Sequence, residues 1–194
     1  MKNIHKVLVV FQVLLISLFV QQAQGEPYLH RATGIVFPDK IAGLENVEVT
    51  DYEAKHPGLG IGISYRKPEI KADIYLYKGG LSHIPEGINS SLITQHFEQV
   101  VGDIYTYEKK GMYHSVKKLS EGEISLGNQP ALSSSFSYFQ ADIERVSYIY
   151  LTGYDKHFLK IRFTYFKSAE TSGKPSLAKF LEKIGKLLVN LKDQ

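Results

Sequence analysis

His157-Phe158-Leu159-Lys160-Ile161-Arg162-Phe163-Thr164-Tyr165-Phe166 is the stretch on which the fold turns. Leu159, Ile161, Phe163 and Tyr165 fall on one side of an extended chain and Lys160, Arg162 and Thr164 on the other, because successive strand side chains point to opposite faces. The pattern predicts a strand with an apolar face toward a core and a polar, cationic face away from it. Immediately before it, Tyr154-Asp155-Lys156 reads as a turn and Arg145 to Gly153 as the preceding strand. Further back, Tyr113 to Leu119, a short Glu123 to Leu126, and Ala131 to Gln140 are predicted strands. Connections this short join antiparallel neighbours.

Working outward, the period changes at both ends of this block. Between Ser91 and Lys109, Leu92, Ile93, Phe97, Val100, Val101, Ile104 and Tyr105 recur at helical spacing, with Ser90 or Ser91 as the cap and Gly111 as the stop. After the block, Leu177, Phe180, Leu181, Ile184, Leu187, Leu188 and Leu191 form the apolar stripe of a closing helix, with Pro175 in its first turn. That basic amphipathic helix is expected to pack on the domain's own sheet, on which most protein helices depend for stability. Upstream, Val47 to Tyr52, Leu59 to Arg66 and Lys71 to Lys78 read as strands after an irregular lead containing Phe37-Pro38. Ile74 and Leu76 on one side, with Tyr75 and Tyr77 on the other, predict a central strand covered on both faces. The fold class is therefore α+β, a mostly antiparallel sheet flanked by helices.

The chain of 194 residues divides at residue 25. Lys2 and Lys6 precede an apolar run from Val7 to Val20, and Ala23-Gln24-Gly25 places small residues where a signal peptidase needs them. Residues 1–25 read as a signal peptide cleaved after Gly25, and residues 26–194 as a single α+β domain that is periplasmic or secreted. The run is shorter than the roughly 20 residues that span a bilayer, so no stable membrane anchor is expected. Removing Lys2 and Lys6 leaves 21 basic against 20 acidic side chains, so the net charge drops from +3 to +1. A nucleic-acid partner then loses its support from net charge.

The absence of cysteine removes disulfides, thiolate metal sites and cysteine nucleophiles. Gly58, Gly60 and Gly62 do not match the dinucleotide fingerprint, and they predict a bulge or close backbone approach in an edge strand instead. The six histidines after residue 25, at positions 30, 56, 83, 96, 114 and 157, have no metal-ligand spacing and read as scattered surface residues. The serines of Ser133-Ser134-Ser135 lack a nucleophile-elbow context, and Glu121/Glu123 and Asp142/Glu144 fall in predicted turns. No catalytic residue, metal site or cofactor is expected. The polar face around Lys160 and Arg162 is the candidate binding surface for an acidic ligand or peptide, with Tyr148 and Tyr150 supplying ring area where they share that face.

Three segments together resemble a known family: Gly60-Ile61-Gly62-Ile63-Ser64-Tyr65, Ala72-Asp73-Ile74-Tyr75-Leu76-Tyr77, and the late hairpin ending in His157 to Tyr165. With the closing helix they resemble the PsbP-like α/β/α sandwich, shared by the photosystem II extrinsic protein and the Mog-type Ran-binding proteins. The resemblance spans roughly residues 35 to 192 and implies a non-catalytic binding or assembly factor. The leading expectation is thus an exported, soluble, non-enzymatic binding or assembly protein, with a protein or small-molecule ligand as partner. A carrier of small apolar ligands or lipids, and a hydrolase whose groups meet only in three dimensions, are the alternatives.

Overall fold

The computed structural model describes residues 26–189. The signal-peptide stretch and Leu191, the last residue of the closing stripe, lie outside them. In chain order the elements are β1 (Tyr28–His30), β2 (Ile35–Phe37), β3 (Lys40–Ile41), β4 (Leu44–Asp51), β5 (Ile61–Lys67), β6 (Ile70–Tyr77), α1 (Ser91–Lys109), β7 (His114–Leu126), β8 (Gln129–Gln140), β9 (Ile143–Tyr154), β10 (His157–Phe166) and α2 (Glu170–Val189). A 3-10 turn at Lys167–Ala169 leads into α2. β1 and β2 form a small hairpin. The others make an eight-stranded antiparallel sheet in the order β3-β4-β5-β6-β10-β9-β8-β7.

One helix lies on each face, and the strand alternation decides which residues meet which helix. Ile61, Ile63, Ile74, Leu76, Leu159, Ile161, Phe163 and Tyr165 enter the core under α2, which contributes Leu177, Phe180, Ile184 and Leu188. Ile93, Phe97, Val100 and Ile104 of α1 pack against Phe136, Ile149, Leu151 and Phe158 on the opposite face. Each such buried side chain contributes roughly 1.5–3 kcal/mol relative to exposure, so the helices are held chiefly by these stripes. The closing helix thus packs on its own sheet, and β6 is central, as expected.

α1 has the expected bounds, and Ser90 Oγ accepts a hydrogen bond from Leu92 N–H at its start. α2 begins earlier than Pro175 suggested. Glu170 opens the helix and pairs with Lys167 at 2.6 Å and Lys174 at 2.8 Å, which places Pro175 inside the helix rather than in its first turn. Gly173 explains the early start, because a Cβ there would lie 2.5 Å from the Tyr165 ring and only glycine lets the first turns settle on it.

Three further expectations are corrected. The lead around Phe37 is not irregular: it forms β1, β2 and β3, with Ile35, Phe37 and Ile41 fully buried. The strands expected at Tyr113 to Leu119 and Glu123 to Leu126 are one long strand, β7, interrupted by bulges, so Glu121 and Glu123 stand on a strand and not in a turn. The glycines at 58 to 62 do serve a close approach, since a Cβ at Gly60 would lie 1.9 Å from the Leu76 carbonyl oxygen, but β5 is an interior strand flanked by β4 and β6.

Candidate functional site

Strand register fixes the composition of the polar face. Asp155 and Lys156 both take positive φ, 44° and 62°, in a two-residue turn of the kind whose twist suits a hairpin. The turn places Tyr154 opposite His157, and the pairing then runs Lys160 to Leu151, Ile161 to Tyr150, Arg162 to Ile149 and Phe163 to Tyr148. Directly opposite residues share a face. Tyr148 and Tyr150 therefore join Ile161 and Phe163 under α2, away from Lys160 and Arg162. Tyr150 is buried there, which raises its phenol pKa, and the Tyr148 hydroxyl lies 3.4 Å from that of Tyr165. Of the four residues proposed from sequence, the structure brings Lys160 and Arg162 together and leaves the two tyrosines on the other side of the sheet.

Other tyrosines take their place. On the neighbouring strand, Tyr75 stands opposite Lys160 and Asp73 opposite Arg162. The ammonium of Lys160 sits 4.4 Å from the Tyr75 ring centre and 5.6 Å from that of Tyr77. Its pKa is lowered by burial and by Arg162, against the opposing pull of Asp103 and Asp73. Arg162 donates from Nε to Ser147 Oγ at 3.1 Å and from Nη2 to the hydroxyls of Tyr113 and Tyr138 at 3.1 and 3.0 Å. Those two rings are stacked with centres 4.1 Å apart, which holds the hydroxyls side by side. Asp73 does not neutralise Arg162. Its carboxylate accepts from Ser64 Oγ at 2.6 Å and pairs with Lys71 at 2.9 Å.

α1 packs chiefly on β7, β8 and β9, with His96 reaching Tyr77 of β6 and Phe158 of β10, and the polar face opens on the side of Asp73 and Arg66. A cleft of about 470 Å³ occupies that opening, lined among others by Arg66, Lys71, Tyr75, Tyr113, Arg145 and Arg162. Arg145 lies over the Phe166 ring at 4.6 Å, and its buried Nε has no hydrogen-bond partner. Buried polar atoms are nearly always satisfied, so this donor marks a place where an acceptor belongs. Lys67, although it borders the cleft, gives its ammonium to Ser176 on α2.

A larger cavity, about 630 Å³, opens at the end of the sheet beside the β1 hairpin and is lined by His30, Arg31, Asp51, Glu53, Lys78 and His157, among others. Leu29, Ile61, Leu76 and Tyr77 line it as well, so its wall is mixed, apolar on one part and charged on another. The cavity also corrects the reading of the histidines as surface residues. His30 and His157 are buried edge to face with ring centres 5.4 Å apart, and each Nδ1 is engaged, His30 with Thr33 Oγ1 at 2.8 Å and His157 with the Asp155 carbonyl at 2.6 Å. His96 is likewise packed, 4.1 Å from the Phe158 ring and 2.7 Å from the Tyr77 hydroxyl. His56, His83 and His114 are exposed. Among the described residues no group of three or more His, Cys, Asp or Glu side chains is placed to hold a metal ion.

Tyr113, Tyr138, Ser147, Asp73, Tyr75 and Arg145 were not singled out as site residues by composition or motif. The signal that finds several of them is hairpin arithmetic. The Ala141-Asp142 turn, also at positive φ, pairs Gln140 with Ile143 and hence Tyr138 with Arg145, which in turn stands opposite Phe166, on the same face as Arg162. Tyr113 precedes β7 beyond its first bulge, where no counting of strand positions reaches it.

No protein-family model matches the chain, and no curated protein matches it. Solved structures similar to it include the cyanobacterial PsbP of Synechocystis sp. PCC 6803, at 10% identity and a TM-score of 0.49, covering 83% of this chain and 89% of that one. A Pseudomonas aeruginosa protein of unknown function is similar at 11% identity and a TM-score of 0.43, covering 81% of this chain and 95% of that one. LpqN of Mycobacterium tuberculosis, described as involved in cell envelope biogenesis, is similar at 11% identity and a TM-score of 0.42, covering 72% of this chain and 80% of that one. The expected PsbP-like resemblance thus has its counterpart among solved structures, and at these identities the likeness concerns the fold alone. Among the described residues no helix is long and apolar enough to cross a membrane.

Proposed function

We propose that the chain is an exported, non-enzymatic binding protein that holds an acidic ligand on the sheet face around Lys160 and Arg162. The observation that supports this most is the state of the cations at the cleft. Arg162 is held by three neutral hydroxyls, and Arg145 rests on an aromatic ring with its buried Nε free of any partner. Half-buried guanidinium groups without a carboxylate are costly unless a counter-charge arrives, and a bound anion supplies it. The cleft is lined by no histidine, its buried carboxylate, Asp73, is occupied by Ser64 and Lys71, and its other carboxylate, Glu69, is exposed to solvent, which supports a binding role over a hydrolytic one. The signal-peptide pattern of residues 1–25 supports export.

The test is native mass spectrometry of the protein purified gently from the exported fraction, followed by capture assays with variants. Lys160→Glu with Arg162→Glu is expected to lower capture of the co-purifying acidic ligand at least tenfold. Arg145→Glu, at a half-exposed position, is expected to act in the same direction with less risk to folding. Unchanged capture by the folded double variant places the binding surface elsewhere and ends this reading.

A further inference from the structure

We infer that the cleft at Arg162 takes a small organic ligand by a tetrahedral oxyanion, a phosphate or sulfate ester, in preference to a carboxylate. This narrows the acidic-ligand reading above and rests on it. The first ground is a count of hydrogens. The hydroxyl oxygens of Tyr113 and Tyr138 both accept from Arg162 Nη2, so each phenol's single proton must point to another acceptor. Tyr138 also has the Ser147 hydroxyl as a partner, whereas Tyr113 finds none in the hydrogen bonds of the described residues. Arg145 Nε is a further donor in the same state, buried and without an acceptor. Against these donors the cleft's buried carboxylate is Asp73, already engaged by Ser64 and Lys71. The cleft therefore presents free donors from two directions, Tyr113 before β7 and Arg145 on β9.

The second ground is the geometry of Arg162. An arginine grips a planar carboxylate best with two parallel N–H groups. Here the edge formed by Nε and Nη2 is occupied by Ser147, Tyr113 and Tyr138, which leaves Nη1 as the corner without a protein partner among the described residues. A carboxylate at this position would receive no fork. A tetrahedral oxyanion has three terminal oxygens pointing apart, so it can collect single hydrogen bonds from Nη1, the Tyr113 phenol and Arg145. The third ground is size. About 470 Å³ lies in the range of organic ligand sites and far exceeds an inorganic anion, and the Tyr75 and Tyr113 rings border the cleft where the rest of such a molecule would lie.

Isothermal titration of the purified protein with phenyl phosphate, inorganic phosphate and benzoate tests the assignment, with sedimentation against phosphatidic acid vesicles as a fourth arm. Phenyl phosphate is expected to bind at least tenfold more tightly than either small anion, and binding to the vesicles would assign the same head group to a lipid. Tyr113→Phe with Tyr138→Phe keeps both rings and removes both hydroxyls. It is expected to weaken the phosphate ester at least tenfold, about 1.4 kcal/mol, while benzoate binds no more weakly, because freeing Nη2 beside Nη1 opens a fork to a carboxylate. Arg145→Gln, away from the stacked rings, is expected to weaken it about fivefold, and unfolding midpoints verify that the variants fold. Benzoate binding as tightly as phenyl phosphate, or full binding by the folded double phenylalanine variant, overturns the oxyanion assignment while the acidic-ligand reading stands. Failure of the phosphate ester and of the vesicles alike also overturns it, and the capture assay with Lys160→Glu and Arg162→Glu then decides the broader reading on its own.

Discussion

Replacing Gly185 with alanine should destabilise the protein, whereas the same replacement at Gly102 should stabilise it. Both glycines stand inside helices, α2 and α1, where alanine is favoured by about 1 kcal/mol. At Gly102 a Cβ meets nothing within 4 Å, so that preference is expressed in full. At Gly185 the new methyl would lie 2.4 Å from the Gly127 nitrogen and 2.9 Å from the Leu126 carbonyl carbon, both backbone atoms of the β7–β8 turn. The turn cannot give way by a rotamer change, and Gly127 itself holds φ at 61°, a conformation few residues accept. Relief requires α2 to lift by on the order of 1 Å, because attractive contacts begin near 3.5 Å. Overpacking costs about 1–3 kcal/mol, and two rigid backbone neighbours put this site in the upper half of that range, about 2–3 kcal/mol, so the net loss after the helix preference is about 1–2 kcal/mol. For a chain of this size the midpoint of thermal unfolding should fall by about 3–6 °C for Gly185→Ala and rise by about 2–4 °C for Gly102→Ala. Calorimetry on the two variants side by side decides the matter. A rise for both would refute the argument that α2 is seated backbone to backbone on the β7–β8 turn.

Three further outcomes are expected. Asp73→Asn removes the buried negative charge opposite Arg162 and should tighten binding of an acidic ligand about three- to tenfold at low salt; weaker binding in titration calorimetry would count against a purely electrostatic role for the cleft. Tyr150→Phe, on the far side of the sheet, should leave that affinity within about twofold, and a larger loss would show that the two faces communicate. The His30 imidazole is held down to about 4 from its ordinary 6.5, first by burial and then by His157, with Asp155 opposing. Between those values the unfolded chain takes up a proton that the folded chain refuses, so stability is full above pH 6.5 and falls as pH drops toward 4, by up to about 3 kcal/mol. Denaturant titrations at pH 7 and pH 4.5 should show this loss, and His30→Gln should reduce it, leaving a smaller slope from His96, whose pKa burial also lowers.

What the sequence discloses depends on how local the cause is. The alternation of Leu159, Ile161, Phe163 and Tyr165 with Lys160 and Arg162 is dictated by the two-residue period of a strand, and the structure follows it residue by residue. The bounds of α1 follow equally from Ser90, which caps it, and from the helical spacing of Ile93, Phe97, Val100 and Ile104. Tyr148 and Tyr150 carry the same local signal, but their side of the sheet depends on register, which is set by two positive-φ residues in the turn at Asp155-Lys156. Neither is a glycine or an asparagine, so the turn type has no compositional mark. Arg162 offers a similar lesson. Its cationic face is plain in the alternation, but its engagement by Tyr113 links positions 49 residues apart across the sheet. The buried pair His30 and His157 lies further apart still, and only the packing of the β1 hairpin on the end of the sheet joins them.

The rims of the eight-stranded sheet have a consequence for how copies of the chain meet. One rim is β3, only two residues long, continued by the outer edge of β4, which bulges between Asn46 and Glu48. The other, β7, is long, but its pairing slips between His114 and Lys117 and again between Lys118 and Ser120, and Lys117, Lys118, Glu121 and Glu123 stand exposed along it. A second copy arriving to extend the ladder would meet a bulged edge at β4 or a kinked, charged border at β7. Both borders thereby discourage edge-to-edge polymerisation of the chain.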